Sequence, residues 1–375
     1  MSRKGSYLGS GLLSEKSKIR IRLITRNAND RFDRAFWKRK VQWAWNYRKT
    51  VMGADASACR VLFSEADGFP GLVVDRFEDV LVAETLSVGM ERLKPMIFPA
   101  LLEVLAEDGI AIRGLYERND ASTRSLEGLA QTAGWFAGAA EDAACSLDPI
   151  NPSQPEAAVF GPTTTQIMEN GVRYEVDFEN GQKTGFFLDQ KYNRRAVAQL
   201  AAGRRVLDCF THTGSFALNA AHGGAEYVNA VDVSELAVAQ ARKNAQLNEL
   251  DGKMDFTAAN VFDLLPQLEA AHDRTYDFIV LDPPAFTKSR KTIDSAARGY
   301  KEINYRAMKL LPRGGYLATC SCSHFMDTER FRRVVSYAAQ DAGVQLRQIE
   351  ERQQAPDHPI LWGVPETDYL KFFLF

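Results

Sequence analysis

Two thiols separated by a single residue, Cys320 and Cys322, lie in the segment Gly315-Tyr316-Leu317-Ala318-Thr319-Cys320-Ser321-Cys322-Ser323-His324. It reads as a strand whose thiols fall at its end, where open α/β sheets assemble their chemistry. A second segment, Phe278-Ile279-Val280-Leu281-Asp282-Pro283-Pro284-Ala285-Phe286, has the same design one crossover earlier: apolar strand, acid, then two stiffening prolines. These residue types at these spacings allow a thiol nucleophile to work beside the Asp282 carboxyl in one crevice.

A second constellation precedes it. The segment Val206-Leu207-Asp208-Cys209-Phe210-Thr211-His212-Thr213-Gly214-Ser215-Phe216 is a strand, a tight turn and a helix start with one glycine. It lacks both GxGxxG and GK[ST], which disfavours a dinucleotide or a phosphate loop and favours a nucleotide without a pyrophosphate. Asp208 at the strand tip suits an ammonium group, and Gly214 lets backbone approach a ligand. Asp232 ends the next strand, where an acid accepts ribose hydroxyls. Asn260 ends the third, where its carbonyl is placed to accept from an adenine amine. Each residue alone also reads as a helix cap; three in consecutive register favour the cofactor reading.

These motifs need a doubly wound sheet, and the pattern supplies one. Strands are expected near 205–208, 227–232, 254–258, 277–282 and 315–320, with helices near 214–221, 234–249, 261–270, 297–311 and 327–339. Strict alternation predicts a parallel, Rossmann-like α/β sheet. Strands over 344–350 and 368–374 are expected to add an antiparallel edge hairpin, and a hairpin of 172–178 with 184–188 is expected to lead in. The domains expected are 1–52, 53–165 (a small α+β domain, with 121–162 as loop or linker) and 166–375.

The 375 residues are 45% hydrophobic and 25% charged, and no apolar run reaches the roughly 18 residues that cross a bilayer. No secretory signal follows Met1, so a cytoplasmic location is expected. Five cysteines, Cys59, Cys145, Cys209, Cys320 and Cys322, form neither CxxC pairs nor a His-rich set, which disfavours disulfides and zinc. Residues 1–50 hold 14 Lys+Arg against three acids, an excess of +11 within a chain of net charge −2. That is the footprint of a polyanion partner or a solvated basic face. Aromatics on the amphipathic helix expected over 33–52, among them Trp37, Trp43, Trp45 and Tyr47, suit core packing first and base stacking second.

The chain resembles the class I S-adenosylmethionine-dependent methyltransferases, and more closely the 23S ribosomal RNA cytosine-5 methyltransferase I family. The resemblance rests on Phe63 to Leu72, Lys183 to Gln190, Asp282 to Phe286, Gly299 to Asn304, Ser321-Cys322-Ser323 and Asp357-His358-Pro359. It implies S-adenosylmethionine as cofactor and ribosomal RNA as partner, with a homodimer also expected and no membrane. It places Phe187, Asp189 and Gln190 over the cofactor and Asp208, Phe210, Thr213 and Gly214 around its methionine part. Asp232, Asn260 and Val261 then meet the nucleoside, and Asp282 the target base. The nucleophile falls seven residues after Gly315, at Cys322, leaving Cys320 within the strand. Family members start with an RNA-binding PUA domain, of which Gly5 to Ile24 reads as the tail. Where two-cysteine relatives have a second thiol, this chain has Ala285, so Cys320, His324 and water stand as candidates for the base that removes the carbon-5 proton. Two rivals remain: amino or guanine methylation by the Asp-Pro-Pro-Ala-Phe segment, which needs no thiol, and a noncatalytic RNA-binding assembly factor.

Overall fold

The computed structural model describes residues 1, 4–136, 153, 155–287 and 289–375. They divide into two compact units. The first comprises 1–167, 175–188 and 356–367, the second 168–174, 189–355 and 368–375.

In the first unit, β1 (Ser10–Leu13) and β2 (Ile21–Thr25) form an antiparallel pair. Next comes α1 (Arg34–Met52), whose N-cap Asp33 accepts from the Phe36 amide at 2.8 Å. A five-stranded sheet follows the order β3 (Ala58–Phe63), β4 (Leu72–Phe77), β5 (Val80–Thr85), β6 (Gly114–Asn119), β7 (Thr132–Trp135), with the one-turn α2 (Ser64–Asp67) after β3. The parallel pair β5 and β6 is joined through α3 (Val88–Glu107). The aromatics of α1 separate by face. Phe36, Trp37 and Trp45 are buried with Val41, Ala44, Arg48 and Met52, whereas Trp43 stays 61% exposed. Strand β7 lies inside the stretch expected to be linker; Thr-Ala-Gly-Trp is a weak strand signal, yet Trp135 is fully buried against Tyr116 and Phe178. The rest of that expectation, over 137–152 and at 154, lies outside the described residues, as does Cys145.

The lead-in hairpin is also different. Its strands are β8 (Thr164–Glu169) and β9 (Val172–Asp177), and residues 184–188 form no strand. The reason is the turn: Asn170 and Gly171 both have positive φ, 54° and 82°, the conformation that a two-residue hairpin loop needs and that Asn-Gly adopts cheaply.

The second unit continues with α4 (Lys191–Leu200), β10 (Arg205–Cys209), α5 (Ser215–His222), β11 (Tyr227–Asp232), α6 (Glu235–Leu247), β12 (Met254–Ala258) and α7 (Val261–Ala270). Then follow β13 (Phe278–Leu281), α8 (Ile293–Leu310), β14 (Tyr316–Ser321), α9 (Thr328–Ala342), β15 (Glu350–Arg352) and β16 (Lys371–Leu374). The sheet order is β12-β11-β10-β13-β14-β16-β15, with β10 to β14 parallel and β16 antiparallel to both neighbours. This is the Rossmann-like α/β sheet that the alternation predicts. Buried Leu207, Val231, Ile279, Leu281 and Leu317 pack against Leu265, Tyr300, Ile303, Phe331 and Val335 of α7, α8 and α9. The edge strand expected over 344–350 is instead the three-residue β15 (Glu350–Arg352), overlapping that range only at Glu350, and the final strand inserts between it and β14.

The expected boundary of 166–375 misplaces two stretches. Residues 175–188 belong with the first unit because the Arg118 guanidinium donates to the Phe178 and Gly181 carbonyls (2.8 and 2.9 Å) and Thr184 donates to Asp75 at 2.6 Å. Residues 356–367 join it through Asp357, whose carboxylate accepts from the Arg60 amide at 2.9 Å and whose carbonyl accepts from Arg48. Residues 1–52 form no separate body either, since α1 lies in the same unit as the five-stranded sheet.

Candidate active site

The strand order reverses direction between β10 and β13, the switch point at which open α/β sheets generally form their binding crevice. Register decides what lines it. Cys209 pairs with Leu281 and Leu281 with Thr319, so Asp208, Asp282 and Cys320 arrive together at the carboxyl ends of β10, β13 and β14.

Asp208 is fully buried. One carboxyl oxygen accepts from the Thr211 hydroxyl (2.5 Å) and the Ala217 amide (2.8 Å), while Oδ1 has no hydrogen-bond partner. Burial pushes this carboxyl up to about 7, with Asp282 and Asp232 adding repulsion. A buried acceptor with no donor is costly in an ordinary core and is rare without a functional reason. The turn after it is strained: Phe210 and His212 hold positive φ of 66° and 51°, and Gly214 has φ 87° as it opens α5. Asp232 supports that turn, accepting from the His212 amide at 2.9 Å and, through its other oxygen, from the Ser234 amide at 2.9 Å. Thr213 is half-buried, and its carbonyl accepts from Asn244 at 3.1 Å.

Other expected cofactor residues have plainer places. Asn260 caps α7: its carbonyl oxygen accepts from the Phe262 amide at 3.1 Å and its amide donates to Asp263 at 3.0 Å. The capping geometry leaves one lone pair of that oxygen for a ligand. The Val261 side chain is buried in the apolar core. Phe187 belongs to the first unit, where the Lys183 ammonium lies 4.7 Å above its ring.

Asp189 and Gln190 belong to the second unit and are buried. Gln190 donates to Asp282 Oδ1 at 2.9 Å and accepts from Asn193 at 2.6 Å. Asp189 accepts from the Tyr369 hydroxyl at 2.7 Å. Asp282 itself is partly buried, and burial pushes its carboxyl up to about 7; Asp189 adds to this, while Arg194 and the Cys320 thiol oppose it. Near neutrality the acid can therefore either donate or accept.

The two thiols differ as the spacing suggests. Cys320 is fully buried, and burial raises its thiol well above the ordinary range. Cys322 lies just beyond β14 and is partly exposed, its Sγ 3.9 Å from the Pro283 carbonyl oxygen. That contact brings the sulfur to the backbone of the segment that carries Asp282. Tyr300 braces the loop from beneath: Ser321 donates to its hydroxyl at 3.0 Å, and the same hydroxyl lies 2.9 Å from the Ser323 hydroxyl. Phe286 packs on Tyr300 at 4.5 Å.

The bracing residues Gln190, Asn193 and Tyr300 define the crevice as much as its acids. The resemblance places Gln190 over the cofactor, and the structure adds its hydrogen bond to Asp282. Tyr300 falls within the Gly299 to Asn304 segment that carries part of the resemblance, although nothing there gives it a role, and Asn193 carries no sequence signal beyond a polar residue on a helix. Of the candidates for proton removal, His324 is exposed and meets the Phe325 ring edge-on, with centroids 5.3 Å apart. The unpartnered Asp208 oxygen and the Asp232 carboxylate are acceptors of the kind that suit the ammonium and hydroxyls of an amino-acid-bearing nucleoside. Among the described residues no group of three or more His, Cys, Asp or Glu gathers as for a metal ion, and no helix is long and apolar enough to cross a membrane.

Comparison with known proteins agrees with this fold. Residues 113–365 match the family model of S-adenosylmethionine-dependent methyltransferases. The chain is 38% identical over 371 residues to the ribosomal RNA large subunit methyltransferase I of Aliivibrio fischeri, covering 98% of this chain and 87% of the relative. It is 38% identical to the protein of the same name from Shewanella denitrificans, covering 98% and 86%. A methyltransferase candidate from Streptococcus mutans shares the fold at TM-score 0.77 and 23% identity, covering 98% of this chain and 87% of that one.

Proposed function

Because the chain belongs to the S-adenosylmethionine-dependent methyltransferases, and within them to the ribosomal RNA large subunit methyltransferase I family, we propose that it methylates carbon 5 of a cytosine in 23S ribosomal RNA, with Cys322 as nucleophile. The observation that carries this reading is the placement of Cys322: a partly exposed sulfur at the carboxyl end of β14, against the backbone of the Asp282 segment.

The cofactor, when bound, supplies an electrophilic methyl group. Asp208 offers its free oxygen to the ammonium, the strained turn through Phe210, Thr213 and Gly214 offers backbone, and Asp232 and Asn260 offer acceptors to the nucleoside. Carbon 5 of cytosine is a weak nucleophile, so the Cys322 thiolate first adds to carbon 6: the S–C6 bond forms and the ring double-bond electrons shift toward carbon 5. Asp282, held by Gln190 and poised near neutrality, donates to the ring nitrogen that gains negative charge during addition. Once carbon 5 carries its methyl group, loss of the carbon-5 proton restores the ring double bond and expels the thiolate.

The test is transfer of tritium from labelled S-adenosylmethionine to under-modified 23S ribosomal RNA, with the product nucleoside identified by mass spectrometry. Cys322→Ala should lose at least about 1000-fold of the rate, while Cys320→Ala keeps a tenth or more, roughly, because only the former removes the attacking atom. Full activity of Cys322→Ala would favour methylation of an exocyclic amine instead.

A further inference from the structure

A buried amine stands beside the proposed nucleophile. Antiparallel pairing sets Lys371 opposite Ser321, at the point where β14 runs out into Cys322 and Ser323. Lys371 is 4% exposed, and its ammonium donates to two neutral acceptors, the Ser323 carbonyl at 2.7 Å and the Tyr369 carbonyl at 2.8 Å. Among the described residues it forms no ion pair. A buried cation is normally paired or abandoned to neutrality, because burial penalises its charge. The groups acting on it are Cys322 from β14, Asp368 from its own strand's approach and Asp327 at the start of α9; Glu351 and Arg352 share with it a cavity of about 250 Å³.

We propose that Lys371 is an electrostatic positioning residue: its ammonium, locked to the backbone one residue past Cys322, holds that sulfur as the thiolate. The proposal rests on Cys322 being the nucleophile. The proton balance needs no base: Lys371 is already the ammonium that donates to the Ser323 and Tyr369 carbonyls, so the Cys322 thiol proton leaves to solvent and the standing positive charge offsets the thiolate. The same ammonium then favours release of the thiolate when the adduct collapses. Burial lowers Lys371 to about 8 and Cys322 opposes that shift, so by reciprocity the amine favours ionised sulfur. The Tyr300 phenol and the Cys320 thiol also act near Cys322, and neither brings positive charge.

The measurement is the rate of Cys322 alkylation by iodoacetamide from pH 5.5 to 9, read at that peptide by mass spectrometry on the full chain without RNA or cofactor. In the wild type the midpoint should fall below about 8.5, the ordinary thiol value. Lys371→Met should raise it by about one unit, the scale expected on losing a nearby opposite charge, and Lys371→Arg should restore most of the shift. A wild-type midpoint at or above about 8.5 overturns the proposal without recourse to any variant. Superimposable profiles for wild type and a folded Lys371→Met overturn it equally. Full methylation by Cys322→Ala would remove the nucleophile assignment, yet the alkylation profile would still report whether Lys371 ionises the sulfur.

Discussion

Two buried clusters of charge in this molecule are built on opposite plans. In the first unit, Lys94 meets Glu91 at 2.7 Å and Glu117 at 2.9 Å, Arg124 meets Glu91 at 3.0 Å, and Arg60 meets Asp75 at 2.8 Å. Asn119 completes the first cluster by donating to Glu117 at 2.6 Å. In the crevice of the second unit, Asp208 and Asp282 are held by neutral donors, and among the described residues neither forms an ion pair. The balanced cluster is complete in itself and serves the fold. The crevice gives neither acid an ion-pair partner, and burial pushes both up to about 7; burial raises Glu117 as well, but there Lys94 and Asn119 oppose it. Imbalance, rather than the number of charges, separates a site that awaits a ligand from one that needs none.

The contrast can be broken first at Lys94. Lys94→Met leaves Glu117 buried without its cation, and stability by chemical denaturation should fall by about 3 to 5 kcal/mol, the usual consequence of removing one partner of a buried pair. A loss under about 1 kcal/mol would mean that the cluster is not balanced in the sense argued.

The crevice should respond in the opposite direction. Asp208→Asn should stabilise the ligand-free protein at pH 8 by about 2 kcal/mol while weakening S-adenosylmethionine binding by calorimetry about 10- to 100-fold. The sign follows from the shift. The folded value of about 7 lies above the unfolded one of about 3.9, so folding takes up protons between them. The Asp208 contribution to stability is therefore most favourable at acid pH, declines as pH rises from about 4 and levels off above about 7. The Asn variant should lose most of that decline, and an unchanged pH profile would show that Asp208 carries no imbalance.

The smallest effect sharpens the comparison from outside. Lys301 pairs with Asp341 at 2.6 Å on the surface, with both side chains substantially exposed. Lys301→Ala should change stability by less than about 1 kcal/mol, because water screens the pair and holding it costs side-chain entropy. A larger loss would make burial irrelevant to the argument.

Much of this was legible along the chain, for reasons that are local. The alternation of apolar strands and amphipathic helices from Arg205 onward specifies a parallel sheet, because period-two and period-3.6 patterns bury different faces. Helix α7 begins and ends where pattern and cap put it. The unequal burial of Cys320 and Cys322 follows from a strand ending between them. The Asn170-Gly171 turn was legible too, but a longer apolar stretch after Gly185 competed with it; Thr184 instead answers to Asp75, 109 residues earlier. Position 260 was ambiguous in sequence, since an Asn that caps a helix and one that holds an amine look alike until the Phe262 amide is in place.

The sequence by itself determined the fold class, the strand-end acids and the thiol, because residue type and spacing suffice when the partner is the next turn or the next strand. Tertiary structure decided what surrounds them. Gln190 reaches Asp282 across 92 positions and Lys371 reaches the Ser323 carbonyl across 48. Whether Asp208 keeps a free oxygen depends on every donor that the fold does or does not deliver to it. Pairing over such separations is set by strand order and register, which chain-local patterns do not encode, and protonation follows from burial, which exists only once the chain has closed around the group.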